Sequence, residues 1–420
     1  MPHNALAQEP AGIITRVAGH SARASHSHSH SHGHGGGSGI PHSRNLTVTL
    51  LAIAVAVLVG LIVLWPPHPK THSNSGTPTH GQVTATALTG CNTSCVVTVT
   101  VRLTDGPDTG HTTDLTFVPG ATDPRLQVGE HVRLARQGSD YEFADIQRQT
   151  PMLWLALVFL LVVVVVGRWR GLAAILGLIV AGVALVVFTI PALLAGESPI
   201  WVALVSGAAI ALVVLPLAHG VSGRTGAALL GTLAGMVVAA GLAAVSISAL
   251  HFTGTSSDEG ATLQLLGSKS TVAGLLLCGA VIGGLGVLND VTVTQASAVF
   301  ELAAADPLLN RRRLIRAAMR IGRDHIASTV YSLVLAYAGA ALPVLLLFAI
   351  TGQAVPDVLT SDALGPEIAA GLIGATALVL VVPLTTSVAA LLAGGSRPRA
   401  VPDRPRGGIR RQHGPTVTRQ

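Results

Sequence analysis

The segment GVLNDVTVTQASAVFE, Gly286 to Glu301, follows directly on an apolar run able to enter a membrane, yet it carries Asn289, Asp290, Gln295 and Glu301. Carboxylates and hydroxyls in such a setting are the chemistry of cation coordination or proton transfer. A helix turns about 100° per residue, so with Asp290 at zero Thr294 falls near 40°, Ser297 near −20° and Glu301 near 20°. One face then has a carboxylate at each end and hydroxyls between, while Asn289, Thr292 and Gln295 fall elsewhere. A carboxylate at membrane depth costs about 2.5–3.5 kcal/mol on insertion scales and is tolerated where it lines a cavity, pairs or binds an ion. The alternative is that the span ends near Asn289, since a straight helix from Thr271 to Ala305 would run ~52 Å. Thr292 and Gln295 would then form a capping box for an amphipathic helix. Gly279, Gly283, Gly284 and Gly286 just before the motif favour either close packing or a helix break.

A second polar stripe follows. After six arginines between Arg311 and Arg323, Asp324, Ser328 and Tyr331 share one helical face, and His325, Thr329 and Ser332 share the next. A connector this short leaves its elements adjacent. The expectation is one polar cluster of Asp290, Glu301 and Asp324, with Asn289, Thr294, Ser297 and His325 around it. It would hold a cation or shuttle a proton, because close carboxylates raise one another's pKa. Alternatively, Asp324 caps its helix and pairs with a neighbouring arginine.

Two further groups carry chemistry. His26, His28, His30, His32 and His34 alternate with small residues, a density able to chelate zinc, nickel or copper. This is the only cofactor the residues suggest. Compositional drift in a polar tail is the bland alternative. Cys91 and Cys95 lie between two strand-like runs and form either a disulfide or a pair of thiols. Cys278 reads as a small apolar residue in a span.

The elements that must position these groups are membrane helices. Of 420 residues half are hydrophobic and 11 % are charged, with mean hydropathy +0.60; a soluble domain has roughly twice that charge. Eight apolar runs are candidates to span: Leu46–Trp65, Met152–Val166, Gly171–Leu194, Pro199–Leu217, Ala227–Leu250, Thr271–Leu288, Ile326–Ile350 and Ile368–Ala393. When alternate sides are assigned, 19 of the 26 Lys and Arg fall on one side, and the short loops of the other hold only Lys269. The positive-inside rule puts both termini in the cytoplasm of a plasma-membrane protein. The net charge of +6 is then a topology signal with no need of nucleic acid. Arginines beyond Gly395 would favour anionic inner-leaflet lipid.

The organisation expected is a disordered His-rich tail (1–45), an anchor (46–65), a linker (66–80), an extracytoplasmic β domain (81–150), a seven-helix core (151–394) and a disordered basic tail (395–420). The β domain rests on VTATAL, CVVTVTVRL, TDLTFV, EHVRLAR and YEFADIQ, separated by DGPDTG, PGATDP and QGSD, which are turn chemistry. A compact OB-like barrel is expected. Pro343 and Pro383 would free the carbonyls of Gly339 and Val379 and mark kinks.

With VVGRWRGLAAILGL (165–178), HGVSGRTGAALLGTL (219–233), GVLNDVTVTQASAVFEL (286–302), AMRIGRDHIASTVYSLVLAYAGAALPVLLLF (318–348) and VPLTTSVAALLAG (382–394), the chain resembles the YibE/F family of multi-pass membrane proteins over roughly residues 125–395. The resemblance implies a seven-helix core after an anchor and an extracytoplasmic domain, and no established activity. The histidine-rich tail departs from the family pattern.

Enzyme readings are weak. LLGSKST (265–271) is not a phosphate-binding loop motif. GVSG (220–223) resembles the GxSG of rhomboid-type intramembrane proteases, but Ser222 reads better as the cap of the fifth span. Two functions therefore compete: a transporter or permease for a small solute or ion, and a membrane scaffold acting through its ectodomain. Intramembrane serine proteolysis is a remote third.

Overall fold

The computed structural model describes residues 44–66, 79–89, 96–120, 124–138, 140–251 and 272–393. The histidine tract, Cys91, Cys95, Lys269 and both terminal tails lie outside these residues.

Helix α1 (Arg44–Val63) is apolar all round. Leu46 is buried, whereas Leu51, Val55, Leu58 and Ile62 are exposed, the surface a lipid-facing helix presents. Gly60 seats α1 on its neighbour: a Cβ there would lie 2.7 Å from a methyl of Val205.

All five expected strands form. They are β1 (Thr79–Thr89), β2 (Val96–Leu103), β3 (Thr112–Phe117), β4 (His131–Gln137) and β5 (Asp140–Ile146), in the order β3-β2-β1-β4-β5. All pairings are antiparallel. Alternation in the β2 sequence VVTVTVRL sends Val99, Val101 and Leu103 into a core shared with Val83, Leu115, Val132 and Leu134. Register shifts at Val83/Ala85 and Arg133/Leu134 bend β1 and β4. The curled sheet brings its two edges together, with Phe117 of β3 meeting Phe143 of β5 edge-on at 5.7 Å. His80 is fastened to Asp105 twice, by its backbone N–H and by Nδ1, each at 2.5 Å. Two residues separate β5 from the next helix. Arg148 pairs with Asp145 across that junction at 2.8 Å, and Gln147 donates to Gln149 at 2.9 Å.

The remaining elements are α2 (Gln149–Ala184), a π-helical turn (Leu185–Thr189), α3 (Ile190–Ala195), α4 (Pro199–His219), α5 (Gly223–Leu250), α6 (Val272–Ala305), α7 (Arg311–Ala340), α8 (Leu342–Thr351), α9 (Val355–Leu359) and α10 (Gly365–Ala393). Among the described residues six helical segments are long and apolar enough to span a membrane, or seven if the bent pair α7–α8 is one span. The difference from the expected eight has two causes. Met152–Val166 and Gly171–Leu194 fall within one 47-residue stretch, Gln149–Ala195, interrupted at Arg168 (φ 52°, ψ −132°). There the chain doubles back: a Cβ on Gly171 would lie 2.1 Å from the carbonyl oxygen of Val163, whereas in a straight helix residues eight apart are ~12 Å apart. The run Ile326–Ile350 is divided between α7 and α8, which meet at 60°. Pro343 cannot donate to Gly339, and α7 closes instead with the Ala341 N–H on the Tyr337 carbonyl at 2.9 Å. Pro383 lies inside α10 without ending it.

Helix α6 runs unbroken through the carboxylate motif. Thr292 and Gln295 are thus mid-helix and cap nothing, and the four glycines end no helix. Helices α5, α6 and α10 pack mutually, α4 and α7 flank them, and α1 and α2 lie against α4. Glycines permit the close centre: a Cβ on Gly235 would meet Val381 at 3.0 Å, and one on Gly322 would meet Val382 at 2.8 Å and Gln295 Oε1 at 2.9 Å.

Candidate functional site

The side of α6 that enters the bundle is the one opposite the carboxylate stripe. Leu288, Val291, Thr292, Gln295, Ala296 and Val299 are buried, whereas Asp290, Thr294 and Glu301 are exposed and Ser297 is half-buried. The buried side carries the bundle's polar centre. Thr292 and Thr232 of α5 share a hydroxyl–hydroxyl hydrogen bond of 2.7 Å. Gln295 Nε2 donates to the Ala318 carbonyl of α7 at 3.1 Å and to Thr386 Oγ1 of α10 at 2.7 Å. Thr386 in turn donates to the Val382 carbonyl at 2.7 Å. One amide side chain thus ties three helices.

Three buried polar atoms near this centre lack a protein partner: Asn289 Oδ1, His325 Nε2 and Thr385 Oγ1. Thr385 sits against α5, with its Oγ1 2.1 Å from where a Cβ on Gly231 would lie. Such groups cost free energy in hydrocarbon unless something satisfies them.

The expected cluster is arranged otherwise. The Thr294 hydroxyl returns to the Asp290 carbonyl at 2.8 Å. Glu301 pairs with Arg224 of α5 at 2.6 Å. Asp290 and Asp324 are exposed and make no ion pair among the described residues. Asn289 and His325 are half-buried with orphaned atoms inward. Sequence reasoning set Gln295 aside and did not single out Thr232, Thr385, Thr386 or Arg224. The signal available for them was small residues spaced for close helix contact, Gly231, Gly235 and Gly322, with hydroxyls beside them.

Beside this centre lies a cavity of about 490 Å³, with Arg170, His219, Ser222, Arg224, Thr225 and Ser297 in its lining. The Arg168 reversal places Arg170 there. Ser222 caps α5 as expected, accepting from the Thr225 N–H at 3.2 Å. His251 caps the opposite end of α5, far from Ser222. No group of three or more His, Cys, Asp or Glu that could hold a metal occurs among the described residues. Cys278 is buried and free.

Apolar helices with a polar centre, joined to a small curled antiparallel sheet, define an integral membrane helix bundle with an appended β domain. The family model described as YibE/F-like protein matches residues 155–395, 241 of the 420, and the chain belongs to that family. No curated protein and no solved structure matches it.

Proposed function

We propose that the protein is a transporter or permease for a small solute or ion, spanning the plasma membrane eight times with both termini cytoplasmic. The eight-span reading counts the broken Gln149–Ala195 stretch twice and the bent pair once. A straight helix of that stretch's 47 residues would extend ~70 Å, more than twice the hydrocarbon thickness. The sidedness rests on the arginine distribution, and the strand order β3-β2-β1-β4-β5 supports the OB-like reading of the curled sheet. The reading assigns no catalytic step.

The observation that carries transport is the set of buried polar atoms without a protein partner in the described helices, Asn289 Oδ1, His325 Nε2 and Thr385 Oγ1. A pure anchor has no use for them, whereas a passing ion or solute would supply the missing partner. Flux of candidate ions and solutes into proteoliposomes tests this, with Thr385→Val and His325→Ala as comparisons. Flux that falls in both variants at normal expression is the expected result. Flux indifferent to both would end the proposal. The scaffold reading draws on the β domain's own core; full rescue of a deletion phenotype by the soluble β domain alone would favour it.

A further inference from the structure

We propose that the cavity bounded by the Arg168 reversal, the α4–α5 connection and α6 binds a small oxyanion of the phosphate class. This deepens the transport reading by naming a substrate class. The volume of about 490 Å³ lies in the range of small-molecule sites. Its lining includes two arginines from different elements, Arg170 and Arg224, and no carboxylate. Ser222 of the α4–α5 connection, Thr225 of α5 and Ser297 of α6 also line it. Ala174, Ala218 and Ala228 are short side chains that leave the space open. Two arginines lining one space suit a tetrahedral oxyanion, through charge-assisted and bidentate hydrogen bonds. Ser297 adds a hydroxyl, whereas the Thr225 hydroxyl already donates to the Gly220 carbonyl at 2.7 Å and lies 3.0 Å from that of Ser222. A cation would meet the positive charge of Arg170, with Arg224 already balanced by Glu301. The α5 N-terminus adds a favourable dipole. Its first turn is already capped by Ser222, however, so the charge preference comes from the arginines.

The two arginines differ in availability. Arg170 is exposed and makes no ion pair among the described residues. Arg224 is held by Glu301 at 2.6 Å, and Glu301 is not in the lining. Glu301 is therefore a built-in competitor: an arriving oxyanion shares or takes Arg224 from it, loosening a clasp between α5 and α6. The cavity also reaches toward the polar centre. Ala228 in its wall is one helical turn from Thr232 on α5, and Val293 adjoins Thr292 on α6.

The same chemistry is offered by free phosphate and by a lipid headgroup, and the test separates them. The full chain in neutral detergent is titrated with inorganic phosphate by calorimetry at constant ionic strength. In a second arm, thermal stability is compared in nanodiscs of phosphatidylcholine with and without phosphatidylglycerol. Phosphate should bind, with Arg170→Gln weakening it about tenfold or more, Arg170→Lys retaining part of the affinity, and Glu301→Gln tightening it severalfold by freeing Arg224. If phosphate does not bind but phosphatidylglycerol stabilises wild type and not Arg170→Gln, a headgroup is the source. Absence of both effects overturns the proposal. So does binding undiminished in Arg170→Gln and Arg224→Gln. If Arg170→Gln does not fold, Arg170→Lys and Glu301→Gln decide: affinity unchanged in both overturns it. Binding is measured without flux. A protein that binds phosphate but moves nothing keeps this inference and loses the transport reading, and one that moves another solute without binding phosphate does the reverse.

Discussion

Gln295 on α6 donates to Thr386 on α10 at 2.7 Å, and the same nitrogen reaches the Ala318 carbonyl on α7 at 3.1 Å. Gln295 is 2 % exposed, so no lipid or water competes for these bonds. Gln295→Leu keeps the volume and removes both. It should cost about 1–2 kcal/mol, the scale of hydrogen bonds between membrane helices. Thermal unfolding in detergent would read the loss, and an unchanged midpoint would mean that packing alone holds α6, α7 and α10.

Thr232 and Thr292 share their hydrogen bond at 2.7 Å, but Thr292 also reaches the Asn289 carbonyl at 3.0 Å. Losing the partner therefore leaves Thr292 with an acceptor. A double-mutant cycle of Thr232→Val and Thr292→Val should give a coupling near the ~0.6 kcal/mol average for such pairs, not the ~1.7 maximum.

Two glycines on α5 separate close packing from helix propensity. A Cβ on Gly231 would meet Thr385 Oγ1 at 2.1 Å, whereas one on Gly241 would meet nothing within 4 Å. Gly231→Ala should destabilise by about 1–3 kcal/mol through overpacking. Gly241→Ala should be neutral or stabilising by up to ~1 kcal/mol. Equal effects of the two on the unfolding midpoint would refute the tight α5–α10 contact.

Acid should loosen the β domain at His80 and Asp105. The hydrogen bond from the His80 ring, and then that from its backbone, holds the Asp105 carboxyl below its ordinary value of 3.8. A lowered carboxylate contributes stability that is complete above its unfolded value and is lost as pH falls through the lower native one. Radical footprinting of the β core in the full chain should show exposure rising below about pH 3.8. Asp105→Asn should flatten that part of the profile and be less protected than wild type at neutral pH.

The sheet was legible because its turn residues and β-branched alternation are local signals. The five strands fall where VTATAL, CVVTVTVRL, TDLTFV, EHVRLAR and YEFADIQ stand. The break before α8 was legible from Pro343. The inward side of α6 was not. In a membrane helix both the packed and the lipid-facing sides are apolar, so periodicity carries no sign of which side is inside. The rule that carboxylates avoid lipid suggested the Asp290–Glu301 stripe, yet Glu301 is met by an arginine on another helix. A pairing across chain positions 224 and 301 has no local signature. The doubling back at Arg168 was visible as a gap between two apolar runs, though its strained backbone was not.

The two-residue junction between Ile146 and Gln149 has a mechanical consequence. Two residues reach only ~7 Å, and the Arg148–Asp145 and Gln147–Gln149 contacts stiffen even that. The joint is short enough that the first turn of α2 and the end of β5 must move largely together. A tilt of α2 applies torque to β5, and the ladder hands it on through β4 and β1 to β2 and β3. The short joint thus couples the β domain mechanically to α2. Inserting a flexible spacer after Arg148 would disconnect the two while leaving each folded.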